Sequence, residues 1–283
     1  MCDHILPEGK LKCAGKRGCG AWNFLSVNTN PEDDGSVLYE DITSASLNRV
    51  ATGLLDDCLG GGVILSDVIL LGGLPGGGKS TLMLQIASVF CRHGLVLYIA
   101  GEEDIKTIKA RGVRLEIETR GNLRFLPALS GVANIGTMLM IRRPNFIIVD
   151  SVDALSGGSD DVEIEILHAI KKFCVELQSP ALIISQINKA GDYAGLMAKQ
   201  HAVDVLLTLE ATDYKVSDST EVLRKVQTLK NRSGRAFVES FFEMTPHGLV
   251  LTLDPAASDF GVSEGSGVSD FGVSEGSSVS EED

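Results

Sequence analysis

"DVILLGGLPGGGKSTLMLQIASVF", residues 67–90, decides how this chain folds. An apolar run breaks at "GGLPGGGKST" and then resumes at helix length. The break fits G-x-x-x-x-G-K-[ST] at Gly73, Gly78, Lys79 and Ser80, between a strand and a helix as such a phosphate-binding loop requires. Glycines let the backbone wrap phosphate groups, whose charge is met by the N–H groups of the loop and of the helix N-terminus. The loop Gly73, Leu74, Pro75, Gly76, Gly77, Gly78, Lys79, Ser80 and Thr81 is therefore the candidate nucleotide-binding surface. Lys79 is expected to reach the β- and γ-phosphates, and the Ser80 hydroxyl to ligate Mg²⁺.

Outward from this loop the pattern repeats. "LVLYIAG", "NFIIVDS", "PALIISQ" and "VDVLLTLE" are strand-like runs alternating with helix-length segments. Strands apolar throughout imply a mostly parallel sheet covered on both faces, an α/β fold occupying residues 45–255. "EVLRKVQTLK", "AFVESFFEM" and "GLVLTL" read as antiparallel strands extending it. In "DVEIEILHAIKKFCVELQ" the residues Val162, Ile166, Ala169, Ile170 and Phe173 recur at helical spacing and predict one buried face.

Carboxylates and amides end several of these strands. Asp150 closes "FIIVD", where it can hold a Mg²⁺ shell through water or else cap the next helix. Glu102 follows "YIAG" and is the candidate base for an attacking water, with Glu103 or a plain helix-start acid as the alternatives. Gln186 closes "LIISQ" and is the candidate sensor of the γ-phosphate. Together these residues are the expected parts of a Mg²⁺-dependent nucleoside triphosphate hydrolase.

The ends of the chain read differently. Residues 1–27 resemble a small module, and 28–44 a linker rich in turn formers and acids. Residues 256–283 repeat "SDFGVSEGS" with too little apolar surface to offset ordering entropy, so this tail is expected to be disordered. It reads either as a solubilising extension or as a handle for a replication or recombination protein. The net charge of −13 includes seven acids in that tail and none of its cations, leaving −6 for the rest, so nucleic acid is not excluded as a partner. No apolar run approaches the roughly 18 residues that cross a bilayer, and the six cysteines form no disulfide framework. No membrane association and a cytoplasmic location follow as expectations.

"RVATGLLDDCLGGGVILSDVILLGGLPGGGKSTLMLQ", "YIAGEED", "SQINKAGDYAG", "HAVDVLLTLE" and "KNRSGR" stand in the order found in bacterial RadA (Sms). Over residues 47–255 the chain closely resembles that family, with its RecA-like ATPase core; the DnaB helicases, RecA recombinases and KaiC ATPases are more distantly similar. The resemblance implies that Lys230 and Arg232 reach across a subunit boundary to a neighbour's ATP. A homo-oligomer follows, a hexameric ring or a filament, because such a contact propagates head to tail. The other readings of these cations are a DNA phosphate contact and a solvated basic turn.

The resemblance also implies single-stranded or branched DNA as partner, with helicase or branch-migration activity in recombination, repair or replication. Lys189, Lys199 and Tyr193 match the region that faces DNA in related proteins, while Lys106, Lys109, Arg111 and Arg114 are a second basic face or an ordinary solvated one. An ATP-dependent single-strand-binding mediator or annealing protein, and a KaiC-like signalling ATPase, are the rival readings. Two departures from the family stand out. A Lon-protease-like domain normally follows the core, whereas here the acidic repeat follows Pro255, so the expectation is a core standing alone. The family's zinc motif has two C-x-x-C pairs, whereas here Cys2, His4, Cys13 and Cys19 are the candidate Zn²⁺ ligands, the alternative being a degenerate finger.

Overall fold

The structure, a computed structural model, describes residues 48–127, 131–187, 194–215 and 222–255. The N-terminal module, the linker, the repeat tail, Cys2, His4, Cys13, Cys19, Lys189 and Tyr193 lie outside the described residues. A short pair, β1 (Arg49–Val50) and β2 (Val63–Ile64), flanks α1 (Asp56–Leu59). The core then runs β3 (Val68–Gly73), α2 (Lys79–Phe90), β4 (Val96–Ala100), α3 (Ile105–Arg114), β5 (Leu123–Pro127), α4 (Gly131–Arg142) and β6 (Phe146–Asp150). It continues through α5 (Val152–Ser156), α6 (Asp160–Leu177), β7 (Ala181–Gln186), α7 (Ala194–Lys199) and β8 (Val205–Lys215). The strands β9 (Val222–Asn231), β10 (Glu239–Thr245) and β11 (Gly248–Thr252) complete it.

Among the described residues nine strands form one sheet in the order β11-β10-β9-β8-β3-β7-β6-β4-β5. From β8 to β5 the neighbours are parallel, and β9, β10 and β11 add antiparallel ribbons, as the sequence predicts. Why β3 is apolar at every position is plain from its two faces. Ile69 and Leu71 join a core containing Leu82, Ile86 and Phe90 of α2, while Val68 and Leu70 join the opposite core with Ile166, Leu167 and Ile170 of α6. A strand buried on both sides has no solvent face on which to place polar residues. Phe90 and Phe146 stack at 4.1 Å and tie α2 to the sheet.

The chain leaves β3 for β4 and β5, then returns to fill β6 and β7, and finally places β8 on the far side of β3. The carboxyl ends of β3, β4, β6 and β7 therefore share one edge of the sheet. Crevices at such an edge are where open α/β sheets bind ligands.

Two expectations need correction. The buried side of α6 is Glu163, Ile166, Leu167, Ile170 and Cys174, with Phe173 partly buried, whereas Val162 is 37% exposed and Ala169 is also exposed. The buried face is turned because it includes a carboxylate, which an apolar stripe cannot reveal. The strand β5 is also absent from the sequence reading: at the sheet edge it is only half-buried, and "LRFLP" lacks the continuous apolar run of its neighbours.

Candidate functional site

Gly78 takes φ +105° and starts α2 without a side-chain cap, and the first turn of the helix holds no acid. Its N-terminal N–H groups are thus left for an external anion. Gly73 is fixed by packing: a Cβ there would lie 2.5 Å from the Leu209 carbonyl oxygen of β8. Lys79, 6% exposed, folds back so that Nζ donates to the carbonyls of Gly73 at 2.7 Å and Leu74 at 2.9 Å. Burial lowers its pKa, and the nearby Glu102, Asp150 and Asp153 oppose that shift. An ammonium half-stripped of water beside a ring of N–H groups suits the oxygens of a polyphosphate.

A cavity of about 240 Å³ opens over this loop, lined by Lys79, Ser80, Glu102, Arg111, Gln186 and Met244 among others. The P-loop lysine and serine, Glu102 and Gln186 are thus brought together. Glu102 and Glu103 are distinguished by their surroundings. Asp104 caps α3 by accepting from the Lys106 N–H at 2.6 Å, so neither glutamate is needed as the helix cap. Glu103 pairs with Arg111 at 2.7 Å, while Glu102 is exposed, its backbone N–H donating to the Asp150 carbonyl at 3.2 Å and its carboxylate without a hydrogen-bond partner among the described residues. The free carboxylate is Glu102.

Asp150 is 3% exposed. It does not cap α5, whose N-cap is Ser151. Its Oδ2 accepts from the Tyr98 hydroxyl at 2.6 Å, and its Oδ1 is buried with no partner among the described residues. Burial and the Asp150 charge hold the Tyr98 phenol well above its ordinary pKa, so the hydroxyl stays a donor. A buried carboxylate oxygen left unpaired is costly unless something cationic or a water meets it. Asp150 Oδ1 is thus a hard oxygen suited to a water or a hydrated cation, and Ser80 lines the cavity over the loop. Among the described residues no group of three His, Cys, Asp or Glu side chains could hold a metal ion.

Gln186 is set by its backbone, whose N–H donates to Asp153 Oδ2 at 2.8 Å. Asp153, Tyr98 and Met244 have no place in the sequence reading. Asp153 carried a signal, since "DSVD" puts it three residues past Asp150; Met244 arrives from a distant strand and carried none.

Lys199 is a correction. It is 3% exposed, its Nζ is ion-paired with the equally buried Glu163, and it also donates to Ser185 Oγ at 3.1 Å. A lysine so enclosed does not present its charge to a DNA backbone. Arg111 is another: it turns into the cavity towards Glu103, while Lys106, Lys109 and Arg114 remain exposed.

Lys230 and Arg232 lie elsewhere. Gly73 of β3 pairs with Leu209 of β8, but Ile69 pairs with Val205, which pairs with Asn231. Four residues of strand, roughly 13 Å, separate the end of the sheet that carries Lys230 and Arg232 from the end that carries the chain's own phosphate loop. Lys230 Nζ donates to the carbonyls of Gln200 and Val203, and burial lowers its pKa, with Arg232 adding to the shift. Arg232 is ion-paired with Asp204 at 3.3 Å, its side chain 54% exposed. Arg235 is exposed.

Along 263 residues the chain is 34% identical to the DNA repair protein RadA of Aquifex aeolicus (strain VF5), covering 87% of this chain and 57% of that protein. It is 34% identical over 261 residues to RadA of Campylobacter jejuni, and 31% over 277 residues to RadA of Streptococcus pyogenes serotype M6. The chain spans 57–58% of the length of these relatives. Among solved structures, a KaiC-like protein from Pyrococcus horikoshii OT3 superposes with a TM-score of 0.61 at 17% identity, over 74% of this chain and all of that one. No protein-family model matches the chain. Sequence likeness along most of its length, on a sheet of this order, makes the chain a RadA-like protein with the RecA-type fold.

Proposed function

We propose that the chain binds and hydrolyses ATP with Mg²⁺, and does so as a homo-oligomer on single-stranded or branched DNA during recombination or repair. The observation that carries this is the division of the site. The phosphate loop, Glu102 and Gln186 line one cavity at one sheet edge, whereas Lys230 and Arg232 stand at the other end of the strands. They are out of reach of their own nucleotide and free to meet a neighbour's.

In this reading the loop N–H groups and Lys79 hold the β- and γ-phosphates, the ammonium exchanging its two carbonyl partners for phosphate oxygens. Glu102, unpaired, orients a water and takes its proton. Gln186 contacts the γ-phosphate through a side chain whose backbone Asp153 fixes. Bound Mg²⁺, with Ser80 and Asp150 as its holders, supplies charge neutralisation on the phosphates. Arg232 of the next protomer neutralises charge developing in the transition state, so that hydrolysis depends on assembly. The DNA part of the proposal is supported by the RadA relatives, which are DNA repair proteins.

Steady-state ATP hydrolysis with and without single-stranded DNA, beside Arg232→Ala, tests it. The expected result is stimulation by DNA, lost in Arg232→Ala although ATP still binds. Hydrolysis indifferent to DNA overturns the DNA part, and full activity in Arg232→Ala overturns the trans cation. A forked-duplex assay then separates unwinding from annealing.

A further inference from the structure

We propose that Asp204 is a positioning residue for Arg232, aiming that cation at the neighbouring protomer's nucleotide. The inference rests on the reading that Arg232 acts in trans.

Asp204 begins the turn into β8 and is 5% exposed. Its Oδ2 accepts the Val68 N–H at 2.8 Å and meets Lys171 Nζ at 2.5 Å. Lys171 is itself held by the Ser66 carbonyl at 3.0 Å. The Asp204 backbone N–H donates to Val68 O at 2.9 Å, and its carbonyl accepts the Arg232 N–H at 3.1 Å. Two groups, the Val68 N–H and Lys171 Nζ, thus set the rotamer of one carboxylate, and two backbone hydrogen bonds fix its main chain. Its remaining oxygen, Oδ1, takes Arg232 Nη1 at 3.3 Å.

This last contact is not needed to hold the fold. An ion pair with a half-exposed partner contributes little to stability. Its geometry is what sets it apart: a rigid anion grips one nitrogen of a guanidinium whose side chain stays 54% exposed. The chain on either side of Arg232 is pinned as well. Arg49 Nη2 donates to the Ser233 carbonyl at 2.6 Å, and Asn231 Oδ1 accepts the Ser233 N–H at 3.0 Å. Lys230 rests on the carbonyls of Gln200 and Val203, so residues 200–204 seat both cations. An arginine has several freely turning bonds, and ordering them before the neighbour arrives removes an entropic cost from the transition state.

The charged groups around this seat are Lys171, Arg49 and Asp67; burial and then the Asp204 charge raise the Asp67 carboxyl to about 6, against the pull of Lys171, Arg49 and Arg232. Asp204→Asn keeps the size of the side chain and an acceptor for Val68, but removes the charge that holds Arg232. Its assembled ATPase is expected to lose about 10- to 100-fold in kcat, since a misplacement of about 1 Å costs on the order of 10²-fold. KM for ATP and binding of a fluorescent ATP analogue stay within about twofold of wild type, because the protomer's own cavity is untouched.

Mixed assemblies decide between positioning and general damage. Lys79→Ala protomers cannot hold nucleotide but keep Arg232 and Asp204. Co-assembled with Asp204→Asn protomers they serve the intact nucleotide sites of those partners, and hydrolysis rises above that of either variant alone. The same mixture made with Arg232→Ala tests the underlying reading: no rise there means that Arg232 does not act in trans, whatever Asp204 does. A rise with Arg232→Ala but none with Asp204→Asn overturns the proposal, as does wild-type kcat in Asp204→Asn. Should Asp204→Asn not fold, Asp204→Glu keeps the charge opposite Lys171 and displaces the carboxylate by one methylene. A folded Asp204→Glu protein with unchanged kcat overturns the proposal equally.

Discussion

Lys199 and Glu163 form an ion pair that is closed from solvent, their side chains 4% and 3% exposed. The pair ties α7 to α6, and through Ser185 it also touches the end of β7 that carries Gln186. Breaking a buried pair strands the other charge, which costs about 3–5 kcal/mol, whereas replacing both partners by apolar residues is often neutral. Lys199→Ala is therefore expected to lose about that much stability in urea denaturation, and Lys199→Met with Glu163→Leu to recover most of it. A Lys199→Ala protein of unchanged stability but weaker, less salt-dependent DNA binding would restore this lysine to the DNA surface.

The glycines of the phosphate loop differ in what a methyl group would meet. At Gly73 it would stand 2.5 Å from the Leu209 carbonyl, a ladder oxygen that cannot move aside. At Gly76 nothing lies within 4 Å and only the φ of +77° resists. Overpacking of the first kind costs about 1–3 kcal/mol and left-handed strain about 1–2 kcal/mol. Gly73→Ala should sit at the upper end of its range because its neighbour is backbone, and should shift the β3–β8 pairing. Gly76→Ala should fold nearly normally, with the loss confined to nucleotide affinity. Urea denaturation beside ATP-analogue binding separates the two.

The strands and the phosphate loop were legible in the sequence because burial on both faces forces continuous apolar runs, and because a phosphate loop demands glycines at fixed spacing. The face of α6 was not, since Glu163 is buried only by virtue of Lys199, a partner 36 residues away. Arg111 was misread for a related reason: it follows Lys106 by five residues, about 140° round the helix, so one basic cluster splits between solvent and cavity. Glu102 was already preferred over Glu103 in the sequence, and the structure adds a reason that the sequence lacks, the pairing of Glu103 with Arg111. The seat for Lys230 and Arg232 is made largely of carbonyl groups, which every residue possesses and no sequence pattern marks.

Asp150 joins a catalytic prediction to one about stability. Its Oδ1 is buried without a partner among the described residues, which serve the charge poorly. Asp150→Asn relieves that burden while losing the charge that a Mg²⁺ shell requires. The expected result is a melting temperature equal to or above wild type, with hydrolysis reduced about 10²- to 10³-fold and not rescued by excess Mg²⁺. Tyr98→Phe is the converse: it removes a charge-assisted hydrogen bond and costs about 1.5–3 kcal/mol of stability. Activity falling in step with stability in Asp150→Asn would show that the carboxylate serves the fold instead.

Asp67 gives a pH dependence with a definite sign. It is 8% exposed, at the turn before β3. Burial, and then the charge of Asp204, push its carboxyl up to about 6, against opposing pulls from Lys171, Arg49 and Arg232. The folded protein thus binds this proton more tightly than the unfolded chain, where the group titrates near 3.9. Below about pH 4 both states are protonated and the group contributes nothing. Stability is lost as pH rises from about 4 to 6, and the penalty is constant above that window. The full shift corresponds to at most about 3 kcal/mol. Asp67→Asn, which cannot ionise, should therefore stabilise the protein by about 1–3 kcal/mol at pH 8 and by nothing at pH 4. Urea denaturation at pH 4, 6 and 8 reads both the size and the window. Destabilisation at pH 8 would mean that the three cations outweigh burial and that the ionised carboxylate is a net favourable member of the cluster.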